Sequence, residues 1–452
     1  MRKWIIPAIL STLLLAGLVF WGYNQQQARL ELENYLGNKY RRAFFDLAGQ
    51  VQSVEVLLSK SLVAADPRLS SELLQDIRLQ ANFAQSNLGQ LPLNDALAGR
   101  TSKFLSQVGD YADSMGRRIS QGQAVDNADW ETLNSLYRQA ADLNRELQGI
   151  QYQVVQNNLY FNELVSQVRK SLEKQPDNQA VSDFQTMDKQ MQQYPTLIYD
   201  GPFSEHLEKT EPAALKGSGE ISAEEAKKRA LAFIDQRDGV NYQAVVTGET
   251  GGRIPAYRVE VGSGQEGEET TQLDISKVGG QPVWMLKGRP CRQANMQIED
   301  AREKCLQYLK ERGFGDMRST YYLLHNNSAT FNFAAVQDGV TIYPDLVKVT
   351  IALDDGEITG LETSGYLMSH CERDLPVPAV SQEQARAAVN PRFEVTGGKL
   401  ALIPFGTEEE RLTYEFQGRL GEEAYLVYVN ALTGREENVL KLLDTPEGTL
   451  TM

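Results

Sequence analysis

"ISAEEAKKRA" occupies residues 221–230. A serine followed three places later by a glutamate, just before an apolar run, marks a helix start. The hydroxyl of Ser222 is placed to accept an orphaned amide while Glu225 reaches back to another. The phrase recurs twice, as "MQIEDA" ending at Ala301 and "VSQEQA" ending at Ala385. Ser381 and Gln384 repeat the capping pair. The second copy has Gln297 at the serine position, so Asn295 is the expected cap there. Within the helices, Ala226, Ala230, Phe233 and Ile234 correspond to Ala301, Cys305, Tyr308 and Leu309. Ala385 and Val389 keep the match until Pro391 cuts the third helix short.

Outward from each helix come alternating strands and a turn glycine at a near-constant distance. Gly280 follows Ala226 by 54 residues, Gly356 follows Ala301 by 55 and Gly434 follows Ala385 by 49. In "ISKVGGQPV", "IALDDGEIT" and "VNALTGREE" a β-branched residue stands five before that glycine. Such turns suit positive φ and a tight reversal. Each repeat therefore reads as a helix covering an antiparallel sheet. The recurring residues are caps, core positions and turns, and none is a reagent.

The first half has a different grammar. Of 36 glycines only 10 precede residue 201, which fits helix there and turn-rich sheet beyond. Leu36, Tyr40, Phe44, Leu47, Val51, Val54, Leu58 and Leu62 form one helical stripe. A second runs through Leu133, Leu136, Ala140, Leu143, Leu147, Ile150 and Val154, resuming at Phe161, Val165 and Val168 with Asn158 on the same face. Shorter helices between them break near Pro92 and Gly122. An antiparallel bundle buries both stripes; an open coiled-coil face awaiting a partner is the alternative.

Arg2 and Lys3 precede an uncharged stretch from Trp4 to Tyr23. Its length, about 30 Å as a helix, matches a bilayer core. It is longer than a signal-peptide core and ends in Trp21 and Tyr23, residues of an interfacial belt. A retained anchor with its N-terminus inside is expected. The fold class is then α+β multidomain: anchor 1–23, helical bundle 24–194, junction 195–220, and three tandem α+β repeats at 221–292, 293–375 and 376–452. Within the junction, "DGPF" at 200–203 should be an ordered turn.

Sixty acidic residues against 45 Lys plus Arg give a net charge of −15, which disfavours nucleic acid as a partner. Cys291, Cys305 and Cys371 are too few for a disulfide framework, and Cys305, on the core face of its helix, reads as a small hydrophobe. The histidines are His206, His325 and His370. No zinc-protease, paired-thiol, phosphate-loop or nucleophile-elbow motif occurs. "SHCERD" at 369–374 is the one stretch mixing soft and hard metal ligands, and it lacks enough of them. His325 reads as a hairpin tip and Asp338-Gly339 as a hairpin turn. The acidic run 408–410 reads as a solvated face. The strand-rich segment 331–353 has two readings, internal pairing or an edge for a partner. No catalytic, cofactor-binding or metal residue is assigned, and no cofactor is expected.

The three repeats resemble PepSY modules. "ENYLGNKYRRAFFDL" (33–47), "LNSLYRQAADLNRELQGIQ" (133–151), "IYDGPFSEHL" (198–207), "YPDLVKVTIALDDGEITGLE" (343–362) and "YLVYVNALTGREENVLKL" (425–442) together resemble the YpeB family of spore germination proteins. That resemblance implies a place at the spore inner membrane, facing the cortex. It also implies a partnership with the cortex-lytic enzyme SleB, in which each protein sustains the other, and no catalysis by this chain. By analogy with peptidase propeptides, restraint of the hydrolase is a further expectation. Two readings compete. A sensor ectodomain would need a cytoplasmic output domain. A glycosidase built on two carboxylates would release soluble fragments from cortex peptidoglycan unaided.

Overall fold

The computed structural model describes residues 5–91, 95–156, 211–234, 240–263, 270–405, 409–445 and 448–452, with backbone alone for 5–19, 33, 95–100, 153–156, 444–445 and 449–450. The chain divides into two compact units. One comprises residues 1–62 and 70–194, the other residues 63–69 and 195–452.

The first unit is helical: α1 (Ile5–Val63), α2 (Pro67–Leu88), α3 (Asp95–Ser120) and α4 (Asn127–Gln156). The α1 stripe is core, with Phe44, Leu47, Val51, Val54, Leu58 and Leu62 all buried, and so are Leu133, Leu136, Ala140 and Leu147 of α4. Ala84, Leu88 and Leu105 from α2 and α3 close the cluster. Steps of three and four residues put these side chains on one helix face, and the gain from removing them from water fixes the packing. Helix ends are satisfied locally. Gly122, at φ +84°, ends α3 with the amide of Gln123 on the Arg118 carbonyl at 3.0 Å. Asp126 and Asp129 exchange amide bonds of 2.8 and 3.3 Å at the start of α4, and the Trp130 indole donates to the Leu62 carbonyl at 3.2 Å.

Among the described residues no helix is long and apolar enough to cross a membrane. The expected anchor 1–23 lies almost wholly outside that set of side chains, and its described end, Phe20, Trp21 and Tyr23, is exposed. The expectations for Asn158, the stripe from Phe161 to Val168, His206 and the turn at 200–203 also lie outside the described residues.

The second unit holds three successive helix-plus-strands groups. The first is α5 (Ala223–Phe233) with β1 (Gln243–Thr250), β2 (Ala256–Gly262), β3 (Thr271–Ser276) and β4 (Pro282–Lys287). The second is α6 (Ile298–Glu311) with β5 (Met317–His325), β6 (Ser328–Gln337), β7 (Val340–Ala352) and β8 (Ile358–Glu362), followed by a short α7 (Ser364–Ser369). The third is α8 (Gln382–Ala388) with β9 (Glu394–Phe405), β10 (Glu409–Leu420), β11 (Glu423–Asn430), β12 (Glu436–Thr445) and β13 (Gly448–Thr451).

The cap of α5 is simpler than expected. Ser222 accepts the Glu225 amide at 3.3 Å, but the reciprocal capping box is complete only at Ser381 and Gln384. The expected cap at Asn295 is corrected. Gln297 occupies the N-cap with no side-chain bond, and Asn295 instead donates to the Asp354 carbonyl at 3.3 Å. Two residues ahead of the N-cap, its amide cannot reach the helix's first amides and serves the neighbouring turn. The turn glycines 280, 356 and 434 all have positive φ, from 63° to 74°. Asn326, Asn327 and Asp338 are left-handed as well, which confirms the hairpin tips beside His325 and at Asp338-Gly339.

Among the described residues, all thirteen strands join in one sheet, ordered β1-β2-β3-β4-β8-β7-β6-β5-β13-β12-β11-β10-β9. Strand β4 pairs antiparallel with β8, Trp284 opposite Glu362 and Leu286 opposite Gly360, so two repeats share a ladder. They share a core as well: Ala226, Ala230, Val259 and Leu273 belong to one cluster with Ala301, Cys305, Leu309, Phe331 and Val349. The third repeat meets the second at two thin seams. Gly448 pairs with Leu323, and Thr341 and Ile342 of β7 pair in parallel with Ala401 and Leu402 of β9. The strands from β7 through β5, β13 and β10 to β9 thus form a closed circuit. Segment 331–353 is paired on both sides within this sheet, the internal of the two readings.

Candidate functional site

Ionisable chemistry in the second unit concentrates where one repeat meets the next. Past β4 the chain turns at Gly288 and delivers Arg289 into the Asp-Asp-Gly-Glu turn of the second repeat. Its guanidinium lies 2.8 Å from Asp354, 2.5 Å from Asp355 and 2.8 Å from Glu357. Lys287 adds an ion pair to Glu357. Hydrogen bonding to Arg289 holds the Asp354 carboxyl well below the usual carboxylate range and raises the guanidinium in return. The Cys291 thiol donates to the Asn327 carbonyl at 2.9 Å beside it.

The same device recurs one repeat later. Arg373, in "SHCERD", makes two 2.9 Å bonds to Asp345 of β7 and two 2.8 Å bonds to Glu410 of β10. Asp345 is 1% exposed, and its Oδ2 also lies 2.7 Å from Nδ1 of His370, whose ring stacks on Tyr366 at 4.1 Å. Burial opposes the charge of Arg373, and the bonds to Glu410 and Asp345 more than restore it. The acidic run 408–410 is therefore corrected in part, since Glu410 is engaged in the joint rather than left on a solvated face. A third link is buried. The Tyr343 hydroxyl of β7 donates to Glu415 of β10 at 2.6 Å, and Lys399 pairs with Glu415 at 3.2 Å. Burial pushes the Tyr343 phenol well above its ordinary range.

An aspartate–histidine pair resembles half of a catalytic triad, and here it lacks the other half. Among the described residues the His370 ring has no hydrogen-bond partner besides Asp345, and both Asp345 oxygens are engaged by Arg373. Among them, too, no group of three His, Cys, Asp or Glu could hold a metal. Cys305 is fully buried, and burial pushes its thiol up to about 12, far from a nucleophile's range. The chemistry of these groups is fastening. Reading along the chain singled out "SHCERD" but missed its role, because Asp345 and Glu410 lie 28 residues before and 37 after Arg373.

Residues 63–69, which group with the second unit, are held by β12. Glu436, 1% exposed, accepts the amides of Ala65 and Asp66 on Oε2 at 2.7 and 2.9 Å. Its Oε1 has no partner among the described residues, and burial pushes its carboxyl up to about 7.

Comparison with known proteins bears on most of the chain. The family model "YpeB N-terminal" matches residues 28–163, "YpeB sporulation, PepSY1 and PepSY2 domains" matches 180–376, and "Peptidase propeptide and YPEB domain" matches 379–440. The chain is 29% identical to Sporulation protein YpeB of Bacillus subtilis over 98% of both chains. It is also 29% identical to Sporulation protein YpeB of Halalkalibacterium halodurans over 94% of both. Among solved structures, the Bacillus megaterium YpeB C-terminal domain is 32% identical. The match covers 50% of this chain and 99% of that one, with a TM-score of 0.45.

Proposed function

The chain belongs to the YpeB family of sporulation proteins, and from that premise we propose that it is a non-catalytic, membrane-tethered partner of a cortex-lytic hydrolase. Its task is to stabilise, localise or restrain a SleB-like enzyme at the spore inner membrane, with its bulk facing the cortex. The observation that carries this reading is the fate of the reactive groups at the joints. Arg289, Arg373, Asp345, Asp354 and Glu410 spend their hydrogen bonds on one another, leaving rigid surface rather than a reaction centre. The uncharged stretch 4–23 supports the tether. The peptidase-propeptide description over residues 379–440 supports restraint of a hydrolase by the same kind of module.

The test is the lifetime of the hydrolase under protease, alone and with the full-length protein. The expected result is a several-fold longer half-life in the mixture, and equal decay would count against the proposal. The full-length protein incubated with cortex peptidoglycan, without any hydrolase, should release no soluble muropeptides. Release abolished by a single carboxylate substitution would establish a glycosidase instead.

A further inference from the structure

The sheet shared by the first two repeats has one face under α5 and α6 and another turned to solvent. On the solvent face, register brings five side chains into a row across five strands. Arg258 lies opposite Asp274, Asp274 opposite Trp284, Trp284 opposite Glu362, and Glu362 opposite Lys348. The order is cation, carboxylate, indole, carboxylate, cation, and it crosses the boundary between repeats. Arg258 grips Asp274 through two bonds of 3.0 and 3.2 Å, and Lys348 pairs with Glu362 at 3.2 Å. Trp284 is part exposed, and its indole N–H has no partner among the described residues. The next row on this face holds Gln272, Leu286, Gly360 and Thr350. Leu286 is 48% exposed, and Gly360 contributes no side chain, so the floor beside the indole is low.

We propose that this row is a binding platform for a neutral polysaccharide chain. A pyranose ring offers an apolar face of C–H bonds, which stacks on an indole, and a rim of hydroxyls, which need donors and acceptors in one plane. Asp274 and Glu362 supply acceptors on either side of Trp284, and the ion pairs hold them in place. Because each carboxylate is matched by its own cation, the row is neutral overall. It has little pull on a charged peptide or a polyanion, and it retains hydrogen-bonding capacity for an uncharged polyol. Neighbouring strands stand about 4.8 Å apart, close to the length of one β-1,4-linked sugar. Successive residues of an extended glycan laid across the strands would therefore meet successive members of the row. The platform is independent of the hydrolase partnership.

The full chain in detergent micelles, titrated calorimetrically with the β-1,4-linked hexamer of N-acetylglucosamine, tests this. Saturable binding is expected, weakened at least tenfold by Trp284→Ala and largely kept by Trp284→Phe. Hydrogen exchange of β3 and β4 checks that the variants remain folded. Should Trp284→Ala unfold, Leu286→Arg, at an exposed position on the same face, must lower binding instead. Absence of saturable binding by the wild type, or equal binding by the folded variants, overturns the proposal. Neither outcome touches the hydrolase-protection assay, which is run without glycan.

Discussion

Gly356 and Gly434 occupy equivalent turns with nearly equal dihedrals, φ +74° and +72°. A side chain strains both backbones alike, by about 1 kcal/mol. Their surroundings differ. A Cβ at Gly356 would lie 2.5 Å from Met296 Cε and 2.8 Å from Lys304 Nζ, whereas at Gly434 the nearest atom is Val380 Cγ2 at 3.6 Å. Met296 Cε and Lys304 Nζ are the far ends of flexible side chains that can swing aside, so Gly356→Ala and Gly434→Ala should cost about the same in urea unfolding, and Gly356→Val more than either. A clearly larger loss in Gly356→Ala would mean that these two neighbours are held in place. Glu436 allows a prediction in pH. Its carboxyl titrates near 7 when folded against an ordinary 4.5, so the folded state holds its proton more tightly than the unfolded chain. The stability it contributes is present below about 4.5 and lost as pH rises through about 7, on the order of 3 kcal/mol in all. Asp66 adds to the upward shift, and the amides of Ala65 and Asp66 oppose it. Glu436→Gln should flatten the wild-type decline in unfolding midpoint between pH 5 and 8. A parallel decline in the variant would assign the effect elsewhere.

The elements bear out some sequence logic and exceed it elsewhere. Capping serines, turn glycines and helical stripes act within a few residues, so α5, α8, the turns and the α1 core were legible from spacing alone. The short α8 follows from Pro391, which cannot continue a helix. The joints were not legible, because an arginine's partners are chosen by the fold. Nothing in "SHCERD" announces Asp345 and Glu410, and nothing near Gly288 announces the turn at 354–357. The joint at Arg373 should be costly to break. Asp345 and Arg373 are 1% and 9% exposed at the side chain. Arg373→Met removes the guanidinium from the buried Asp345 carboxylate and leaves it the His370 ring, with an expected loss of about 3–5 kcal/mol. Arg373→Lys should recover only part, since an ammonium cannot make the paired bonds to both carboxylates. Unfolding of the two variants with equal midpoints would show that the fork geometry is immaterial. Tyr343→Phe removes the 2.6 Å bond to the buried Glu415 carboxylate, which Lys399 also holds, at about 1–3 kcal/mol.

At the scale of the second unit, three repeats written separately in the sequence become one mechanical body. Alternation of apolar residues specifies each sheet's faces, but it does not say which edge strand meets which. The pairing of β4 with β8 and the β7–β9 seam therefore emerge only in three dimensions. A shared ladder and a shared core between the first two repeats leave no plane along which either could unfold without exposing the other's apolar surface. The third repeat is attached by few strand pairs, so its fastening rests on the cluster of Tyr343, Ala401, Ile403, Leu426 and Tyr428 and on the Arg373 node. If these joints couple the repeats into one cooperative transition, a defect at the third joint must be felt at the far end of the sheet. Hydrogen exchange reads this directly. The amides of Leu273 in β3 and Val427 in β11 should report the same free energy of opening in the wild type. In Arg373→Met both values should fall together. A fall confined to β9–β13, with β3 unchanged, would show the third repeat to be a separately folding domain, and the arginine a local staple rather than part of a continuous frame.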